Sequence, residues 1–150
     1  MQIYDRIKQD HDHARALLKE LKEGEKLAAD KRAALFDELK REIWVHAKVE
    51  ETVFYLPLID KRKTRAESLE ALNEHHIANS LLEEMDTIPQ DNDMWASKMG
   101  VLKETLEHHM KEEEDEVFGE ARKVLSREQA TAMAEDFDRR KRLGLQAITP

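Results

Sequence analysis

The apolar residues of this chain recur at intervals of three and four positions through most of its 150 residues, which is the period of an amphipathic α-helix. No segment alternates apolar and polar residues over the length of a β-strand. Glycine occurs four times and proline three times, so interruptions of regular structure are rare. The pattern predicts an all-α fold built from long helices.

The first half of the chain predicts two helices. The first runs from about residue 2 to residue 23 and stops at Gly24. The second can be capped by Asp30 and has Pro57 in its last turn or at a kink. The positions predicted to face inward are Tyr4, Ile7, His11, Ala14, Leu18 and Leu21 in the first helix, and Leu35, Leu39, Ile43, His46, Glu50, Val53 and Pro57 in the second.

The second half predicts two further long helices. Thr64 with Glu67 is the signature of a capping box at the start of the third helix, and the fourth begins near Asp93 and ends near Leu125. Their inward positions are predicted at Leu69, Leu72, His75, Ala78 or Asn79, Leu82 and Met85, and at Trp95, Met99, Leu102, Leu106, His109, Glu113 and Val117.

A second capping box pairs Ser126 with Gln129 and opens a short C-terminal helix over about residues 126–145. Because the connections are short, the expected architecture is an antiparallel up-down four-helix bundle over about residues 2–125, with the C-terminal helix lying on it. A chain of 150 residues has the size of one domain, so a single domain spanning residues 1–150 is predicted.

The composition excludes several classes of protein. Cysteine is absent, which removes disulfides, thiolate metal sites and thiol nucleophiles. The N-terminus lacks the apolar stretch of a signal peptide and no later segment is apolar enough to span a bilayer, so a cytoplasmic location without a membrane partner is expected. With 33 acidic residues against 25 Lys and Arg, the formal net charge is −8, which disfavours nucleic acid as a partner.

The two halves of the chain repeat each other around their histidines, with a period of 63 to 64 residues (46 to 109 and 11 to 75). Two helical hairpins related by an approximate two-fold axis would bring the repeated residues to similar depths in the bundle. The repeated residues are His11, His46 and Glu50 in the first half, and His75, His109 and Glu113 in the second.

These six side chains form a set of imidazole and carboxylate ligands without sulfur, which suits iron, with manganese or zinc as alternatives. A single histidine with a glutamate four residues later is a weak signal, because 33 of the 150 residues are acidic. Four helices that each place a histidine on the apolar stripe are harder to explain without a metal, since buried charge is costly unless it is neutralised. Carboxylates can bridge two ions, so the sequence predicts a binuclear site, with two iron ions as cofactors.

The segments HAKVEETVFY, EHHIANSLL and HHMKEEEDEVF, together with the DH near the N-terminus and the leucine pair after it, resemble the hemerythrin-like, HHE cation-binding family over about residues 1–125. The resemblance implies a four-helix bundle with a non-heme di-iron centre in its core. Carried over residue by residue, it implies the metal ligands His11, His46, Glu50, His75, His109 and Glu113.

The chain departs from oxygen-carrying hemerythrins at two positions. They have a second histidine four residues after the one on the third helix, where this chain has Asn79. They also have an aspartate five residues after the fourth-helix histidine, where this chain has Glu114; Glu113, at the spacing usual among bacterial relatives, is the favoured ligand. A tyrosine such as Tyr4, two turns from His11 on the same face, is a further candidate ligand.

Two other groups of side chains are interpreted as structural. Three histidines lie off the inward stripes and are predicted to be solvated: His13, His76 and His108. The large aromatic residues are predicted to pack in the core and to limit the access of water to the metal: Trp44, Trp95, Phe54, Phe118 and Phe137.

The resemblance implies a non-heme di-iron protein that binds O2, NO or peroxide for sensing, storage or defence against oxidative and nitrosative stress. One alternative is a di-iron enzyme that degrades peroxide or reduces NO, because an open metal position can activate such ligands. A second alternative is a metal-free interaction bundle whose polar core residues fix the register of the helices. The expected partner is a small diatomic or peroxide ligand, and no motif identifies a redox partner.

Overall fold

The computed structural model of the protein describes residues 1–148, and within that range the chain is helical and contains no strand. Two π-helical turns, Glu51–Tyr55 and Glu113–Val117, join α2 to α3 and α5 to α6, so the segments form five continuous helices. None of the helices in the described range is long and apolar enough to cross a membrane. The segments are α1 (Ile3–Lys22), α2 (Ala29–Glu50), α3 (Leu56–Ile59), α4 (Arg65–Asp86), α5 (Asp93–Glu112), α6 (Phe118–Val124) and α7 (Arg127–Ile148).

Four of the five helices form the bundle that the sequence predicts. α1 packs against α2 and α4 against α5, each pair as a hairpin, while α2 contacts α4 and α1 contacts α5. The C-terminal helix α7 lies across α1 and α2. It has 22 residues, so the prediction of a short C-terminal helix is wrong. Its buried face continues past Phe137 to Lys141, a charged residue that hydrophobic periodicity does not count as buried.

The helices begin and end close to the predicted residues, but only some of the predicted capping hydrogen bonds are present. Gly24 has a positive φ of 35° just after α1, where an L-residue would be strained. Ser126 and Gln129 form the predicted capping box, with bonds of 3.0 and 2.8 Å. Asp30 lies inside the first turn of α2 and is not its cap, and Thr64 instead donates its hydroxyl to the carbonyl of Leu58 at 2.7 Å.

The bundle buries two apolar clusters with a polar layer between them. Along α1, Ile7 belongs to one cluster and Ala14 to the other, and His11 lies between them. The first cluster contains Phe54, Phe118 and Phe137, and the second contains Trp95. The predicted aromatic core is thus confirmed at these four positions. The polar layer has an apolar cluster above it and another below it along the bundle axis.

Two residues predicted to be buried are exposed. Leu69 is 42% exposed because the inward face of α4 begins at Ser68 and Ala71, each one position before a predicted residue, and joins the predicted stripe at His75. Trp44 is 39% exposed, and the ammonium of Lys48 lies 4.7 Å from its ring centroid.

Candidate metal centre

The six residues predicted as metal ligands lie together in the polar layer of the bundle. Each helix of the bundle contributes a histidine, and Glu50 and Glu113 each lie one turn beyond the histidine of their own helix. All six are at least 92% buried, with the two glutamates the most deeply enclosed. The side chains are His11 on α1, His46 and Glu50 on α2, His75 on α4, His109 on α5 and Glu113 at the first residue of the second π turn.

Glu50 lies between two histidines of different helices. Its Oε2 atom is 3.0 Å from Nε2 of His46, and its Oε1 atom is 3.0 Å from Nε2 of His75. The carboxylate therefore presents one oxygen to each side of the polar layer.

Glu113 occupies the corresponding position in the second half of the chain. Its Oε1 atom is 3.0 Å from Nε2 of His11, and its Oε2 atom is 3.6 Å from Nε2 of His109. The Nε2 atoms of His75 and His109 are 3.2 Å apart. The ligand atoms thus form two groups in which all atoms lie within 4.8 Å of one another. We call these the first position, with His11, His46, Glu50 and Glu113, and the second position, with Glu50, His75 and His109.

A carboxylate holds the outer ring nitrogen of each of the four histidines. Because each Nδ1 atom is engaged by a carboxylate, each Nε2 atom is oriented towards the centre. Such carboxylate–histidine pairs fix the ring and its tautomer in metal sites, and raise the basicity of the ligand. The Nδ1 distances are 2.6 Å from His11 to Glu114, 2.7 Å from His46 to Asp10, 2.8 Å from His75 to Glu51 and 2.7 Å from His109 to Glu74.

Three buried atoms at the centre have no hydrogen-bond partner: Nε2 of His11, Oε1 of Glu50 and Oε1 of Glu113. His11 Nε2 and Glu113 Oε1 are only 3.0 Å apart, yet they are not aligned for a hydrogen bond. Unpaired buried polar atoms are costly, and here all three belong to the predicted ligand set. Nitrogen and oxygen donors that converge without bonding each other fit a cation between them, and the absence of sulfur suits iron, manganese or zinc.

The geometry of the π turns brings a tyrosine to the site that the sequence analysis missed. Tyr55 is fully buried, five residues after Glu50, and its hydroxyl donates a hydrogen bond to Oε2 of Glu113. A π turn contains one extra residue, so a side chain five positions on returns to the inner face, which a 3.6-residue period does not predict. The available signal was the run of large apolar residues Val53, Phe54 and Tyr55, which is wider than one face of an α-helix.

Tyr4, the tyrosine considered from the sequence, lies outside the site. Its ring packs edge-on against Phe54 and Phe118, and the guanidinium of Arg122 lies 4.2 Å from the ring centroid. Tyr4 is therefore a packing residue of the first apolar cluster.

The remaining candidates also take positions around the centre and not within it. Glu114 bonds to the outer nitrogen of His11, so it orients a histidine and leaves the inner position to Glu113. Asn79 lines a surface groove with Trp44 and Leu82. The other three histidines, His13, His76 and His108, are exposed as predicted.

Carboxylates raise the pKa values of His46 and His75 in the absence of a metal. Burial disfavours the charged form of His46, but the carboxylates of Glu50 and Asp10 outweigh it and raise its pKa to about 10. The same competition at His75, with Glu50 and Glu51 as partners, raises its pKa to about 9. Burial opposes ionisation of Glu50, yet His46 and His75 hold its pKa well below the usual range. At neutral pH a metal ion would therefore displace protons from His46 and His75.

A small cavity, partly open at one side, lies beside the four imidazoles. Its volume is about 30 Å³, which exceeds the roughly 10–15 Å³ that one water molecule needs. Apart from the histidines and their carboxylates, most of its wall is apolar: Ala14, Ile43, Ala47, Ala78, Leu106 and Met110, with Thr105.

A histidine and carboxylate layer buried in a four-helix bundle defines a class of helical cation-binding proteins. The chain belongs to the family described as the hemerythrin HHE cation binding domain, whose model matches residues 2–121. Its fold is similar to that in the crystal structure of a hemerythrin HHE cation binding domain-containing protein, the Rv2633c homolog from Mycobacterium kansasii. The TM-score is 0.83 at 23% identity, over 98% of this chain and 89% of that chain.

A curated relative is much longer than this chain. The chain is 28% identical over 152 residues to a protein named DNA nickase from Nostoc sp., and the match covers 98% of this chain and 42% of the relative. The chain therefore spans less than half the length of that protein.

Proposed function

We propose that this protein is a non-heme di-iron protein that binds O2, NO or peroxide, and that serves sensing, storage or defence against oxidative and nitrosative stress. The observation that supports it is the sharing of two carboxylates between two groups of histidines. Glu50 presents one oxygen to His46 and the other to His75, while Glu113 does the same for His11 and His109. Two histidine pairs with two shared carboxylates are a ligand set for two ions.

In this proposal the six predicted residues hold the two ions, and manganese or zinc are the alternatives to iron. When bound, iron would supply reversible redox chemistry and an open coordination position for a small ligand. The chain would orient the imidazoles through their outer carboxylates and exclude water with the two apolar clusters. Glu50 and Glu113 would neutralise the cationic charge, which explains why two glutamates are stable in the core.

The cavity supports a ligand of diatomic or peroxide size. It lies against all four histidines, and its volume of about 30 Å³ suits a ligand of a few atoms.

Tyr55 is the observation that favours the enzyme alternative. Its hydroxyl is a buried proton donor in contact with Glu113, and burial, followed by the charges of Glu113 and Glu50, raises its pKa well above the usual range. A hydroxyl that keeps its proton beside the site would stabilise the charge of a bound peroxide as a hydrogen-bond donor. Multiple turnovers of peroxide or NO per chain would identify the protein as an enzyme, whereas stoichiometric binding would identify it as a carrier or sensor.

We do not propose for this chain the activity that the name of the Nostoc relative states. The matched region is 42% of that protein, and the net charge of −8 on this chain opposes approach to a phosphate backbone.

The first test is the metal content per chain after anaerobic reconstitution with ferrous iron. We expect two irons in the unaltered protein, and the substitution Glu50→Gln should remove most of both because the carboxylate is shared. Glu38→Gln is the matched control, since Glu38 is a half-exposed glutamate of the same helix that pairs with the surface residue His13 at 3.3 Å. One iron per chain, or an effect of Glu38→Gln equal to that of Glu50→Gln, would contradict the proposal.

A further inference from the structure

The C-terminal helix reaches the candidate metal centre through a buried lysine. Nζ of Lys141 lies 2.5 Å from Oδ1 of Asp10 and 2.8 Å from Oε2 of Glu42. Oδ2 of Asp10 lies 2.7 Å from Nδ1 of His46, so Asp10 connects α7 to a predicted ligand. Lys141 is 92% buried, which is rare for a lysine unless it is paired.

The carboxylates behind the first position are all held by cations. Asp10 receives Lys141 and also Arg6, whose Nη1 atom is 2.7 Å away. Glu114, behind His11, receives Nη2 of Arg15 at 2.8 Å. The two outer carboxylates of this position are therefore restrained from both sides.

The carboxylates behind the second position are not restrained in this way. Among residues 1–148, neither Glu51 nor Glu74 has a Lys or Arg partner within 4.0 Å. Their side chains are 37% and 19% exposed, whereas those of Asp10 and Glu114 are 7% and 18% exposed, so the cation partners and the burial of Asp10 distinguish the first position. An outer carboxylate that faces water can leave its histidine more easily, which frees the ring to turn away from an ion.

Two other features also favour tighter binding of an ion at the first position. The first position has four ligand atoms that cluster within 4.8 Å and the second has three. The ring of Phe137, from α7, lies 5.6 Å from the ring of His46 and shields it. Within residues 1–148, no aromatic ring of α7 packs against His75 or His109.

We propose that α7, through Lys141 and Asp10, holds the ion of the first position against exchange, so that the ion of the second position is released first. Lys141 is a positioning residue in this inference, because it acts through Asp10 and does not touch the metal site. The inference rests on the proposed two-metal function and deepens it, by assigning different exchange behaviour to the two ions.

The negative charge around the second position opposes the earlier release of its ion, but this effect is smaller than the restraint on the first position. Glu51 and Glu74 carry uncompensated charge that attracts a cation to the second position. Both groups are partly solvated, so water and salt screen that attraction. The restraint on Asp10 is buried and is not screened in the same way.

The test uses the full chain loaded with cobalt(II), whose visible spectrum reports its ligand environment, and then mixed with excess EDTA. We expect two release phases of one ion each. Lys141→Met should accelerate only the slow phase, by about tenfold, at the lower end of the effect of removing an outer partner of a metal ligand. Lys141→Arg should restore the slow phase, and Glu74→Gln should accelerate only the fast phase.

Matched variants separate this outcome from loss of structure. Lys40→Met removes an ion pair of similar length, with Asp86 at 3.0 Å, and should change neither phase. If Lys141→Met does not fold, Asp10→Asn removes the same ion pair and keeps an acceptor for His46. A single release phase for both ions, or equal acceleration of both phases by Lys141→Met, would overturn the inference. A chain that binds fewer than two cobalt ions would instead overturn the two-metal function, and the stoichiometry before EDTA is added distinguishes the two failures.

Discussion

Tyr55 donates its hydroxyl to the carboxylate of Glu113, although 58 positions separate the two residues in the chain. Both side chains are fully buried, and they come from the two π turns of the bundle. The hydrogen bond satisfies Oε2 of Glu113 and leaves Oε1 of the same carboxylate without a partner, close to His11. Glu113 is thus fixed through one oxygen, and its other oxygen stays without a partner beside His11.

Removing this hydroxyl should destabilise the metal-free protein. In Tyr55→Phe the buried carboxylate of Glu113 loses its donor, and a hydrogen bond to a charged group contributes about 1.5–3 kcal/mol. Urea unfolding of the metal-free chain measures the loss. Tyr4→Phe is the matched control, because the hydroxyl of Tyr4 is buried without any hydrogen-bond partner and its removal should be neutral or slightly stabilising. Equal effects of the two substitutions would show that the Tyr55 hydroxyl contributes nothing specific.

The sequence predicted the histidines and glutamates of this site because their spacing coincides with the apolar period of the helices. Tyr55 was missed because the π turn shifts that period by one residue between Glu50 and position 55. The outer carboxylates were missed for a different reason. Asp10, Glu51 and Glu74 each lie next to a predicted ligand in the sequence, but acidic residues are too common in this chain for adjacency to distinguish them.

The fold was predictable wherever one face of a helix is purely apolar. The apolar pattern does not predict residues that are buried because an ion pair neutralises them. Lys141 is such a residue, four positions after Phe137 on the buried face of α7. Only the three-dimensional structure shows that Asp10 and Glu42 neutralise this lysine. For the same reason, the length and the role of the C-terminal helix could not be inferred from the apolar pattern.

The stability of the metal-free protein should fall as the pH rises above neutrality. The folded-state pKa values of His46 and His75 are raised to about 10 and about 9, above the usual 6.5. Their contribution to stability is therefore complete below about pH 6.5 and is lost as the pH rises through 9 and 10. Asp10 and Glu50 have lowered pKa values, so their contribution is lost at acidic pH instead. Urea midpoints measured between about pH 6 and 10 should decrease steadily.

The metal-loaded protein provides the control for this pH dependence. An ion replaces the protons on the ring nitrogens, so raising the pH no longer removes the charge that Glu50 and Asp10 require. We expect the urea midpoint of the loaded chain to be nearly constant over the same range, and metal affinity to increase with pH. Parallel decreases with and without metal would show that the histidines are not the groups responsible.

The cavity beside the histidines should determine which small ligands the site accepts. Ala78 is 2% exposed and lines this cavity, so Ala78→Val adds two methyl groups to a space of about 30 Å³. We expect the variant to retain two irons and to lose at least about tenfold in affinity for azide, a loss of about 1.4 kcal/mol. Ala121→Val is the matched control, since Ala121 is equally buried in a helix but lies in the first apolar cluster, outside the cavity wall. Overpacking alone costs about 1–3 kcal/mol of stability and should affect both variants. Only obstruction of the cavity should weaken azide binding selectively, so unchanged azide affinity in Ala78→Val would place the ligand elsewhere around the ions.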